Sequence, residues 1–117
     1  MSRLSSLLAV AVLALWPASA ATHSLLLAST PPADGVVNDA SAVTLRFNNR
    51  IEKKLSRIRL VPAHGETRVL PLRADGAVDT LQAPLPALGA GRYRIEWRVL
   101  STDGHVVSGA FAFSVSP

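Results

Sequence analysis

Apolar residues recur at every second position in short runs along this chain, and proline, glycine, asparagine or aspartate punctuates the runs. Val43, Leu45 and Phe47 alternate with Thr44, Arg46 and Asn48, which predicts a strand with one face buried. Ile58 and Leu60 repeat the pattern between Arg57, Arg59 and Val61. After a turn-like stretch at 62–66, residues 67–72 return, so the two segments predict a hairpin. The longest alternation puts Tyr93, Ile95, Trp97 and Val99 on one face and Arg92, Arg94, Glu96 and Arg98 on the other. Phe111, Phe113 and Val115 repeat it in a last strand, with Ala110, Ala112 and Ser114 between them.

The breaks are as informative as the runs. A Leu-rich segment at 24–29 stops at Thr30-Pro31-Pro32-Ala33-Asp34-Gly35, where proline fixes φ and Asp-Gly permits a tight turn. Asp75-Gly76 marks another turn. Residues 84–91 hold two prolines and two glycines, which predicts a loop. Nowhere does a 3.6-residue period persist for three turns. About seven short strands, with turn signals roughly every 8–12 residues, predict an all-β fold: an immunoglobulin-like antiparallel β-sandwich, with a small closed barrel as the alternative. Trp97 is expected in the core between the sheets.

The N-terminus has a different character. Arg3 precedes an apolar run at 7–16, and Pro17-Ala18-Ser19-Ala20 supplies small residues for cleavage, so 1–20 is read as a secretory signal peptide. The apolar run is about half of the ~20 residues that a spanning helix needs. Its removal leaves 97 of the 117 residues, enough for one domain.

Composition then narrows the chemistry. The chain holds 12 Lys plus Arg against 8 Asp plus Glu, a net +4, but only 17% of residues are charged, too few for a dedicated nucleic-acid binder. There is no Cys, and the single Met is Met1. Disulfides, thiolate zinc sites, Cys nucleophiles and soft Cu(I) sites are thereby excluded from the exported chain. An exported domain without disulfides fits the bacterial periplasm. Phosphate-cradling loops, nucleophile elbows and H-E-x-x-H motifs are absent, so no enzyme is expected.

The remaining chemistry lies in three histidines. Asp103 and His105, separated by Gly104, lie on one side of extended backbone or converge if the segment turns. Imidazole with carboxylate suits Cu(II), Zn(II) or Ni(II), copper being favoured on intrinsic affinity. The plainer alternative is an Asp-Gly turn beside a solvated histidine. His23 falls close to the cleavage point. Cleavage after Ala20 makes it the third residue, able to join the terminal amine and two amide nitrogens around a square-planar ion; cleavage after Thr22 makes it the first, chelating through amine and ring. His64 reads as a solvated turn residue.

The chain from 23 to 117 resembles the CopC family of periplasmic copper-binding proteins over nearly its whole length. His23, Ser29-Thr30-Pro31 and Ala33-Asp34-Gly35 are similar to the family's His-led first strand and its S-x-P-A-D-G turn. Leu45-x-Phe47-Asn48, Ile51-Glu52 and Ile58-x-Leu60 are similar to its next strands. The most specific block is Leu88-x-x-Gly91-x-Tyr93-x-Ile95-x-Trp97-x-Val99-x-Ser101-x-Asp103-Gly104-His105, followed by Gly109-x-Phe111-x-Phe113.

The resemblance implies a seven-stranded Greek-key β-barrel or sandwich that binds Cu(II) at one end, in copper resistance or homeostasis. It places the Cu(II) ligands on His23, Asp103 and His105. It also implies delivery to a CopD-like inner-membrane copper transport protein; a monomer is expected. Counting back from Ser29-Thr30-Pro31 favours cleavage after Thr22, whereas Ala18-Ser19-Ala20 favours cleavage after Ala20; His23 is a ligand either way. The Met-rich loop of some members, with its Cu(I) site, has no counterpart here. Two alternatives stand beside copper carriage: a copper oxidative enzyme, and an interaction module with a vestigial metal site whose basic face of Arg57, Arg59, Arg92, Arg94 and Arg98 meets anionic lipid or an acidic partner.

Overall fold

The structure, a computed structural model, describes residues 25–117. The signal peptide expected at 1–20, or 1–22, and the ligand expected at His23 lie outside the described residues. Eight strands follow one another: β1 Leu26–Thr30, β2 Val36–Val37, β3 Ala42–Phe47, β4 Arg57–Pro62, β5 Arg68–Leu70, β6 Thr80–Pro84, β7 Gly91–Leu100 and β8 Val106–Val115. A three-stranded sheet in the order β1-β3-β6 and a five-stranded sheet in the order β2-β8-β7-β4-β5 form the two layers. All pairings are antiparallel except β2 with β8. The architecture is the expected β-sandwich.

Alternation along the strands builds its core. Val43, Leu45 and Phe47 of β3 and Leu81 and Ala83 of β6 supply one layer; Ile58 and Leu60 of β4, Ile95 and Val99 of β7, and Phe113 and Val115 of β8 supply the other. Burying each large aliphatic or aromatic side chain contributes roughly 1.5–3 kcal/mol relative to exposure. The register of β7 follows from this pattern: a slip by one residue would send Ile95 and Val99 to solvent and bury Arg94 and Arg98.

Two strands exceed the sequence-based expectation. β6 ends at Pro84, the first residue of the predicted loop; it lies at the sheet edge beside β3, where a missing N–H is tolerated. β2 has two residues, too few for a period to show. Trp97 also differs from its expected place. It is half-buried at the margin of the core, edge-on to Phe47 at 6.4 Å and tilted on Phe111 at 6.0 Å.

Candidate metal centre

Residues 101–105 close the hairpin between β7 and β8, the two longest strands. Ser101 anchors this turn: it is 1% exposed and pairs with Ile51 in an isolated bridge. Its N–H donates to the His105 carbonyl at 3.0 Å, and its own carbonyl accepts from Gly104 N–H at 2.9 Å. Gly104 has φ of +89°, a region that side chains rarely adopt, so glycine here lets the backbone bend back between the two candidate ligands.

That bend makes Asp103 and His105 converge. Oδ1 of Asp103 accepts from the His105 backbone N–H at 3.0 Å and from the Ser101 hydroxyl at 2.8 Å. Oδ2 lies 3.2 Å from Nδ1 of His105. The backbone donor at His105, with the Ser101 hydroxyl and the His105 ring, lowers the Asp103 pKa to about 2. The carboxylate is therefore charged at neutral pH, and Nδ1 is the imidazole nitrogen turned toward it. Both side chains stay accessible, at 38% and 51%. The plain reading of an Asp-Gly turn and the metal reading meet in one geometry, since the turn itself presents a carboxylate and an imidazole together at the surface.

The two groups do not complete a site. Among the described residues no group of three or more His, Cys, Asp or Glu could hold a metal ion. His64 sits in the β4–β5 connection beyond Pro62, which pairs with Tyr93 at the start of β7. Tyr93 and Leu100 are separated by roughly 20 Å of extended strand, so His64 belongs to the opposite end. It is exposed, as expected.

The start of β1, by contrast, lies at the same end as the turn. Leu25 N–H donates to Asn48 Oδ1 at 2.8 Å, and Asn48 N–H returns a bond to the Leu25 carbonyl at 3.1 Å. Two residues on, the Arg50 carbonyl accepts from Thr102 N–H at 3.2 Å. Sequence reasoning did not assign these supporting roles to Ser101 and Asn48. A serine two residues before the aspartate was the available signal for the first; nothing local points to the second, because it acts 23 residues away.

A model of the CopC domain matches residues 26–116. The chain belongs to the CopC family. It is 31% identical to copper resistance protein C of Escherichia coli over 106 residues, covering 83% of this chain and 84% of that one. It also superimposes on the crystal structure of CopC from Methylosinus trichosporium OB3b with a TM-score of 0.75 at 33% identity, over 81% of this chain and 95% of that one. The crystal structure of PcoC, a methionine-rich copper resistance protein from Escherichia coli, matches with a TM-score of 0.69 at 29% identity, over 80% and 99%. This CopC chain has no methionine after Met1, so it shares the fold without the methionine content.

Proposed function

We propose that this CopC-family chain binds copper as Cu(II) in the periplasm and sequesters or delivers it in copper resistance and homeostasis. The observation that carries the reading is the 101–105 turn, which holds an ionised carboxylate and an imidazole together at the surface of a CopC domain. Carboxylate, imidazole and amine are hard or borderline donors, and they favour cupric over cuprous copper.

The third ligand in this proposal is His23. It stands two positions before Leu25, a reach of about 7 Å. Arg50, which bonds to Thr102, stands two positions after Asn48, which holds Leu25. These spans support a site shared by the two chain segments, with amine and ring of His23 joining Asp103 and His105. The role is binding and carriage without turnover, by a monomer, with a CopD-like membrane protein as the receiving partner.

Competition titration with a Cu(II) chelator tests the reading. Loss of a residue outside the ligand set commonly costs 10–100-fold in metal affinity, and loss of a ligand costs more, so His105→Ala should weaken Cu(II) binding by about a hundredfold or more. Circular dichroism should stay unchanged, since the ring is half-exposed. Unaltered affinity would remove His105 from the site and the proposal with it. N-terminal sequencing and intact mass of the exported protein, with and without Cu(II), identify the first residue and the stoichiometry.

A further inference from the structure

The outer face of the five-stranded sheet carries charge that the metal centre does not use. Arg57 and Arg59 of β4 and Arg92, Arg94 and Arg98 of β7 are exposed there. Glu96 stands among them, accepting from Arg59 Nη2 at 2.8 Å and lying 3.3 Å from Arg94 Nε. Arg57 and Arg98 are direct cross-strand partners, and among the described residues neither has an ion-pair partner. Two like charges opposite one another across a ladder repel, and a bound anion would relieve this.

Beside the arginines lies a shelf. The neighbouring positions on β8 are Ser108, Gly109 and Ala110, whose small side chains leave an open concavity of about 450 Å3 against Arg94 and Arg98. Among the described residues the far edge of β8 is largely bare. β2 meets it only at Ser114 and Val115. On that side the Ala112 carbonyl accepts from Asp34 N–H at 2.7 Å, and Ser114 N–H donates to the Gly35 carbonyl at 2.9 Å. By the alternation of an antiparallel ladder, the N–H and C=O groups of Ser108 and Ala110 point the same way. Among the described residues no strand meets them. β8 reads VVSGAFAFSV, without the charge or proline that ordinarily guards an unpaired edge.

We propose that the β8 edge at Ser108 and Ala110 takes an extended acidic segment of a partner protein by strand addition, with carboxylates four residues apart resting on Arg98, opposite Ser108, and on Arg94, opposite Ala112, to either side of Glu96. Strands lie about 4.8 Å apart, so the added strand would run roughly 10 Å from β7. An arginine and a glutamate leaning toward each other over alanine and serine cover that gap. Backbone bonds supply affinity in this mode, and the side chains of alternate residues supply specificity. A second copy of this chain would set one arginine face against another. A bilayer needs apolar side chains to insert, and the large exposed ones on this face, Val36, Val69 and Val106, stand singly at separate points of its margin.

The test is an NMR titration of the purified protein with a short threonine peptide carrying glutamate at every fourth position, the spacing of Arg94 and Arg98, and with its threonine–glutamine counterpart. The glutamate peptide should bind roughly tenfold more tightly. It should slow amide exchange at Ser108 and Ala110 but not in β1. Arg94→Glu with Arg98→Glu should abolish the preference for the glutamate peptide. Ala110→Pro, which keeps every charge and removes an N–H aimed away from β7, should abolish the slowed exchange at Ser108. Equal binding of the two peptides overturns the proposal. So do shifts without slowed exchange, self-association through β8 in the absence of peptide, and binding to phosphatidylglycerol vesicles but not to the peptide.

Discussion

Asp103 and His105 touch twice: one carboxylate oxygen takes the histidine's backbone N–H at 3.0 Å, and the other lies 3.2 Å from its ring Nδ1. A histidine that orients one nitrogen toward a carboxylate has the other left to meet a metal, and the same contact sets the tautomer. Asp103→Asn keeps an oxygen for the backbone bond but removes the charge. Because the charged carboxylate is itself a ligand in the proposed site, Cu(II) affinity should fall by about a hundredfold or more, with the hairpin amide shifts nearly unchanged. A mutant that binds copper as tightly as the wild type would exclude the carboxylate from the site.

Ser101 is the buried support of that carboxylate. Replacing it with alanine removes one hydrogen bond to a charged acceptor, at a cost of about 1.5–3 kcal/mol. Urea denaturation should register the loss, and Cu(II) affinity should drop less than in His105→Ala. Equal loss in the two variants would contradict a purely supporting role for the serine.

The acid behaviour of the turn follows from the Asp103 pKa, which folding depresses to about 2 through the His105 backbone N–H and then the Ser101 hydroxyl. A depressed carboxylate pKa stabilises the fold above the unfolded value, about 3.9, and that contribution disappears as pH falls through about 2. Carbon-detected NMR of the Asp103 carboxyl should show a midpoint near 2 in the metal-free protein. Ser101→Ala should move it upward. A midpoint at the ordinary carboxylate value would mean that these two hydrogen bonds do not persist in solution.

Trp97 covers Gly109, its cross-strand partner, so closely that a methyl group added there would sit 2.7 Å from indole Cε2. The rigid ring cannot yield without disturbing Phe47 and Phe111. Gly109→Ala should therefore destabilise the protein by about 1–3 kcal/mol, the usual cost of overpacking. Trp97 is the one tryptophan after the first twenty residues, so its emission should shift to the red along with the earlier unfolding midpoint. An unchanged midpoint would show that the indole has room to move.

The ligand set makes a redox prediction. With no Cys, and no Met after Met1, reduction of bound Cu(II) should release the metal to a Cu(I) chelator in one step. Retention of cuprous copper against such a chelator would require soft donors that the sequence lacks after Met1.

Much of this molecule is legible in its residues because alternation is a local property. The pairs Ile95 and Val99 inside, Arg94 and Arg98 outside, follow from a period of two whatever strand lies alongside. The donor types available to a metal are likewise a matter of composition, and Asp103-Gly104-His105 is a turn that local backbone chemistry predicts. Strand β6 was hidden because Pro84 argues against a strand unless the strand is known to be an edge, and that depends on its neighbours.

What lies next to what is decided by long-range pairing. Ser101 becomes buried only when Ile51 comes to lie beside it, and Leu25 reaches the end that carries Asp103 and His105 through Asn48 and the Arg50–Thr102 bond. The same holds for β8, whose alternating residues announce a strand while the sheet order, among the described residues, leaves its far edge open at Ser108 and Ala110, one strand away from the arginines of β7. The sequence by itself determined the faces of the strands and the chemistry they can carry. Tertiary structure decided which faces and edges meet, because those contacts join residues that no local period connects.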